Sequence, residues 1–107
     1  MKRYTTPELE VVLDIPVETV KSIDFLFKQQ CDPDADAILL KKYPGDVTCD
    51  NGIYNVPFSA AETALFAGGM YFYMDLRITD QTGKVPTTPI VHLYMSNTLF
   101  TEKEVVV

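Results

Sequence analysis

Basic side chains are scarce in this chain: nine Lys and Arg stand against fifteen Asp and Glu in 107 residues, for a formal net charge of −6. No cluster of Lys and Arg exceeds pairs such as Lys2-Arg3 and Lys41-Lys42. A nucleic-acid partner, which needs many phosphate contacts, is therefore not expected. Long apolar runs are missing too, and none approaches the ~20 residues of a membrane helix. No membrane partner is expected. The first residues, "MKRYTTPELEVVLDIPVETV", place Thr, Pro, Glu and Asp where a signal peptide carries its apolar region. Synthesis in the cytoplasm is the expectation.

Cysteine and histidine are equally sparse. A bridge between Cys31 and Cys49 would favour the folded state by about 3 kcal/mol on the chain-entropy account, but a cytoplasmic chain is expected to keep both as thiols. The two cysteines and His92 show no paired C-x-x-C spacing, so neither a zinc site nor any other metal is expected. His92 is the single histidine and lies between Val91 and Leu93. No serine and carboxylate are locally arranged around it as a hydrolase triad requires. It is expected to be a half-buried strand residue packed against Tyr73. "DPDAD", Asp32 to Asp36, begins like a calcium-binding EF-hand loop, but Ala37 stands where Gly is needed and Tyr43 where Glu is needed. A solvated loop is expected, ahead of a weak surface cation site on its three carboxylates. The glycines form no phosphate-binding pattern, because Gly68-Gly69 precede a strand rather than a helix. No cofactor and no catalytic grouping are expected.

What the chain has in quantity is strand signal, spread over a single domain, residues 1–107. "LEVVL", "KSIDFLFK", "AILLKKY", "VTC" and "IYNVPFS" read as five successive strands separated by turn residues. Asp50-Asn51-Gly52 predicts a type I′ hairpin turn. "SAAETALF", 59–66, is the one helical candidate, about two turns long, with Ser59 and Glu62 at capping-box spacing and Gly68-Gly69 after it.

The long strand that follows alternates almost without error. Met70, Phe72, Met74, Leu76 and Ile78 share one phase, while Tyr71, Tyr73, Asp75, Arg77 and Thr79 share the other. "PTTPIVHLYM" is the last strand, with Pro86 and Pro89 marking an edge or a bulge. If Thr82-Gly83 is a two-residue turn, Met70 faces Met95, Phe72 faces Leu93 and Met74 faces Val91, and the other side pairs Tyr71 with Tyr94 and Tyr73 with His92. A three-residue turn closing on Asp80 and Lys84 is the alternative; it slips this pairing by one unless a second bulge follows near Pro86 or Pro89. The tail "TEKEVVV" is left either frayed or paired with a neighbour.

Seven short strands at this spacing predict an all-β fold, an immunoglobulin-like antiparallel β-sandwich with one short helical turn near residues 59–66. Gly69-Met70-Tyr71 suggests the tyrosine corner of such sandwiches. Tyr71, Tyr73, His92 and Tyr94 form the candidate interaction face, since aromatic rings offer large contact area at low entropic cost. Cross-strand packing alone would also account for them.

The segment "IYNVPFSAAETALFAGGMYFYMDLRITDQTGKVPTTPIVHLYMSNTL" resembles short proteins from phages and prophages of Gram-positive gut bacteria, through Phe58, Ser59, Glu62, Thr63, Phe66, Gly69, Arg77, Ile78, Thr79, Gly83 and Ile90. "VKSIDFLFKQ" is similar to an earlier strand of the same group. The G-x-Y strand and D-x-x-G turn also resemble the immunoglobulin-like domain at the start of phage baseplate upper proteins. The resemblance implies a tail- or baseplate-associated virion protein with no catalytic residues. Its implied partners are other tail or virion proteins, or copies of itself. A carbohydrate-binding or adhesion module using the aromatic face is the alternative.

Overall fold

The computed structural model describes residues 1–98; the tail "TEKEVVV" lies outside the described residues. Seven strands run in the order β1 (Glu8–Val12), β2 (Val20–Lys28), β3 (Ala37–Tyr43), β4 (Thr48–Asp50), β5 (Ile53–Pro57), β6 (Met70–Asp80) and β7 (Val91–Met95), with α1 (Ala60–Thr63) between β5 and β6. They form two antiparallel sheets, ordered β1-β5-β4 and β3-β2-β6-β7. The seven strands sort as strands B, E and D and strands C′, C, F and G of an immunoglobulin domain do. Among the described residues the fold is an all-β sandwich with one short α-helix and a single 3-10 turn, Val17–Thr19, before β2.

The sandwich is held by apolar side chains in phase on the facing sheets. Ile23, Phe25 and Phe27 of β2 pair with Ile78, Leu76 and Met74 of β6, and Tyr54 and Val56 of β5 come from the opposite sheet. Phe27, Phe66 and Phe72 are fully buried. Their rings meet within 4.4 to 6.4 Å of one another. Met70 has the core phase of β6 yet is 52% exposed, because phase predicts burial only where another layer covers the face.

Local chemistry sets the turns. Asn51 and Gly52 have φ of 50° and 78°, as a type I′ turn requires. The capping box forms as its spacing predicts: Glu62 N–H donates to Ser59 Oγ at 3.1 Å, and Ser59 N–H donates to Glu62 Oε1 at 2.8 Å. The helix itself is shorter than expected. After Thr63 the chain continues in tight turns, with Leu65 N–H on the Glu62 carbonyl and Phe66 N–H on that of Thr63, which carry Phe66 into the core. The helix therefore ends before Gly68-Gly69 are reached.

The last hairpin combines both readings of its turn. Asp80 N–H donates to the Lys84 carbonyl at 2.9 Å, and one Asp80 carboxylate oxygen accepts from Thr82 N–H, Thr82 Oγ1 and Lys84 N–H. The Thr82 hydroxyl and the backbone donors hold that carboxyl below its ordinary range. The three-residue turn is thus the one used. Residues 85–90, with Pro86 and Pro89, lie outside the ladder and absorb the slip. Met70 still faces Met95, Tyr71 faces Tyr94 and Tyr73 faces His92.

One buried hydroxyl is poorly satisfied. The Tyr54 hydroxyl is buried without a well-formed hydrogen bond; burial pushes its phenol up to about 12, and Cys49 and Tyr43 beside it push the same way. The Cys49 thiol is at best a weak partner. Tyr54→Phe is expected to change stability at pH 7 by less than about 1 kcal/mol, in either direction, because it deletes a desolvated hydroxyl without opening a cavity. In the native chain the raised pKa favours folding below pH 10, and this contribution is lost as pH rises from the ordinary phenol value of 10.0 toward 12. Urea midpoints at pH 7 and pH 11 check both statements; a large loss at pH 7 in Tyr54→Phe would contradict them.

Candidate functional site

The tyrosine phase of β6 faces outward from the four-stranded sheet, and its position follows from the strand period alone. Tyr71 and Tyr94 are 53% and 46% exposed. The Tyr71 ring meets Tyr94 at 5.3 Å and 74°, and His92 at 5.3 Å and 73°. These three side chains form one edge-to-face cluster, and β7, which carries two of them, is an edge strand of the sheet. Aromatic pairs in this geometry gain about 0.5 to 1.5 kcal/mol beyond their area.

Two expectations are corrected here. His92 is exposed and packs on Tyr71, diagonal to it, although its register partner is Tyr73. Tyr71 is not a tyrosine corner. A corner tyrosine shares the phase of the buried strand residues, whereas Tyr71 lies one residue out of that phase. Among the described residues its phenol makes no bond to upstream backbone.

Tyr73, the fourth predicted residue, stands apart from the cluster. It is half-buried and lines a hollow of about 210 Å³ between the sheet and the β2–β3 loop, together with Leu26, Lys28, Cys31, Asp75 and Ile90. A second, more open hollow of about 460 Å³ adjoins it, lined by Gln30, Cys31, Met70, Tyr71 and Tyr73. The two share Gln30, Cys31 and Tyr73 in their linings and so lie side by side between the aromatic cluster and Asp75. Cys31 is exposed in their shared wall, and Cys49 lies half-buried elsewhere; both are free thiols.

Gln29 fixes this arrangement. Its Nε2 donates to the Tyr71 carbonyl at 2.9 Å, and its Oε1 accepts from Ala67 N–H at 2.8 Å. One side chain therefore ties the end of β2 to the start of β6 and sets where Tyr71 enters the sheet. Lys28 closes the loop, its ammonium donating to the carbonyls of Asp32 and Pro33 at 3.3 and 3.0 Å. Asp32 accepts from Asp34 N–H at 2.9 Å, a local turn that keeps the acidic loop in solvent. Sequence reading missed Leu26, Asp75 and Ile90 as groove residues. A signal did exist: Leu26 occupies the outward phase of β2, where Ser22, Asp24 and Lys28 are polar.

Among the described residues no three His, Cys, Asp or Glu side chains gather as a metal would require, and no helix is long and apolar enough to cross a membrane. The Lys41–Glu62 ion pair, at 2.8 Å, lies on the inward side of the same sheet. Compared with family models, with curated proteins and with solved structures, the chain matches none.

Proposed function

We propose that this chain is a structural interaction module of a phage or prophage particle, tail- or baseplate-associated, that binds a neighbouring subunit through the outer face of its four-stranded sheet. The observation that carries the reading is the Tyr71, Tyr94 and His92 cluster, with both tyrosines about half exposed, where β6 meets the edge strand β7. Tyrosines held rigid by their neighbours and left open to solvent have the composition of an interface centre. The resemblance carried by Phe58, Ser59, Glu62, Gly69, Arg77 and Gly83 supplies the phage setting. Synthesis in the cytoplasm followed by incorporation into the virion fits that setting.

A carbohydrate-binding or adhesion module is the second reading, favoured by the same exposed tyrosines. Sugars stack on open ring faces, and here the Tyr71 ring is already packed edge-to-face with two neighbours. A protein interface uses edges and faces alike.

Mass spectrometry of purified particles is the direct test, and the chain is expected among the tail components. Tyr71→Ala and Tyr94→Ala are each expected to weaken incorporation by about tenfold or more, as interface-centre aromatics do, with both variants still folded and their stability lowered by only about 1 kcal/mol. Absence from the particles, or unaltered incorporation of both variants, sinks the reading. Binding to a glycan array that is lost in Tyr71→Ala would replace it with the second.

A further inference from the structure

The groove beside the aromatic cluster has a charge pattern that its apolar floor does not require. Its floor is built from Leu26, Tyr73 and Ile90, and two carboxylates, Asp32 and Asp75, stand in its lining. Lys28 is the cation of that lining, and its ammonium is already held by two loop carbonyls. The carboxylate of Asp75 accepts from the adjacent Leu76 N–H at 3.0 Å. Among the described residues neither Asp75 nor Asp32 has an ion-pair partner. Along the sheet, Asp24 is flanked in register by Lys42 and Arg77, so its charge is met by cations on both neighbouring strands and that row is net positive by one. The next row, Leu40, Leu26 and Asp75, is apolar except for its one acid.

We propose that this groove takes an extended segment of a partner protein in which an aliphatic or aromatic side chain sits next to a lysine or arginine. The apolar side chain fills the space over Leu26, Tyr73 and Ile90, and the cation meets Asp75 at its edge. The inference rests on the interaction-module reading and adds the chemistry of the partner. Electrostatic complementarity of this kind sets partner choice and encounter rate more than raw affinity. A second copy of the chain fits less well, since each copy carries a net charge of −6 and like-charged surfaces repel.

The test uses the full chain, isotopically labelled for NMR, and three capped octapeptides alternating Lys with Leu, Glu with Leu, and Lys with Ser. The Lys/Leu peptide is expected to shift the amides of Leu26, Lys28, Cys31, Tyr73, Asp75 and Ile90, while the other two bind about tenfold more weakly because each lacks one of the two features. Asp75→Asn and Asp75→Lys should weaken the Lys/Leu peptide progressively, the latter by about tenfold, and leave the rest of the spectrum in place. Absent binding of the Lys/Leu peptide, equal binding of the Glu/Leu or Lys/Ser peptide, or indifference to Asp75→Lys overturns the proposal. So do shifts of the same amides on concentrating the chain alone, which would assign the groove to a second copy. Particle incorporation of the Tyr71 and Tyr94 variants is read separately. A groove that ignores basic peptides while those variants fail to incorporate removes the partner chemistry and leaves the module standing.

Discussion

Phe27→Ala is expected to lower the unfolding free energy by about 3 to 5 kcal/mol, the range for deleting a buried aromatic ring whose site cannot collapse. Phe27 is fully buried, and its ring meets Phe58 at 5.3 Å, Phe66 at 6.3 Å and Phe72 at 6.4 Å. Those partners belong to the end of the β5 segment, the turn after α1, and β6. Truncation therefore loosens three segments at one point. A domain of this size has a total stability of about 5 to 15 kcal/mol, so the variant should lose a large share of it, and each kcal/mol lowers the melting temperature by about 4 to 8 °C. Phe27→Leu, which keeps most of the volume, is expected to cost less than half as much. Tyr71→Ala on the outer face, which loses two exposed edge-to-face pairs, should cost about 1 kcal/mol. Urea unfolding followed by circular dichroism orders the three; a loss below about 1 kcal/mol for Phe27→Ala would contradict the core described here.

The same residue shows how far the sequence could be read. The alternation of Ile23, Phe25 and Phe27 marks a strand with one buried face, and the alternation from Met70 to Ile78 marks another. Strand phase is local, so it is written in neighbouring side chains. The β6–β7 register was legible only as one of two: the sequence ties it to a two-residue turn, and the chain reaches it instead through the three-residue turn, with the slip taken up by residues 85–90. The pairing of β2 with both β3 and β6 was not legible. Any in-phase apolar strand satisfies any other, and the choice between them is made by packing over long sequence separation. The groove escaped for a third reason. Its wall is a loop placed by Gln29 and Lys28 through backbone carbonyls, and a glutamine or lysine that bonds to backbone leaves no pattern in the chain. Met70 and Tyr71 mark the boundary of phase reasoning, which assigns a face but not what covers it.

Glu62 is where local and long-range forces meet, and Glu62→Ala is expected to cost about 2 to 3 kcal/mol, the sum of a lost helix cap and a half-buried cation left alone. Its Oε1 accepts from Ser59 N–H and from Lys41 Nζ, each at 2.8 Å, and its Oε2 lies 2.8 Å from the same ammonium. Lys41 comes from β3, opposite Phe25, and its ammonium stands 5.8 Å from the Phe58 ring. An inward-pointing lysine on an edge strand also discourages pairing with another chain, so removing its partner exposes a cost that the strand otherwise hides. Burial pushes the Glu62 carboxyl up, but the Lys41 and Ser59 hydrogen bonds and the Lys41 charge outweigh it and hold the pKa below its ordinary value. The unfolded chain therefore takes up the proton first as pH falls. The contribution is complete above the ordinary glutamate value of 4.5 and is lost as pH drops through the lower folded value. Glu62→Gln, which can still accept from Ser59 N–H, should lose about 1 kcal/mol at pH 7 and show a flatter fall in urea midpoint from pH 5 to pH 3. Lys41→Met made alone strands a carboxylate, whereas Lys41→Met in the Glu62→Gln background removes both charges from the half-buried site. The double variant is expected to be more stable than the two single losses added together, because leaving either charge unpaired costs more than replacing the pair. Strict additivity of the two losses would mean that Lys41 and Glu62 do not sense each other, and the tie between β3 and α1 would then rest on the packing of Phe58 alone.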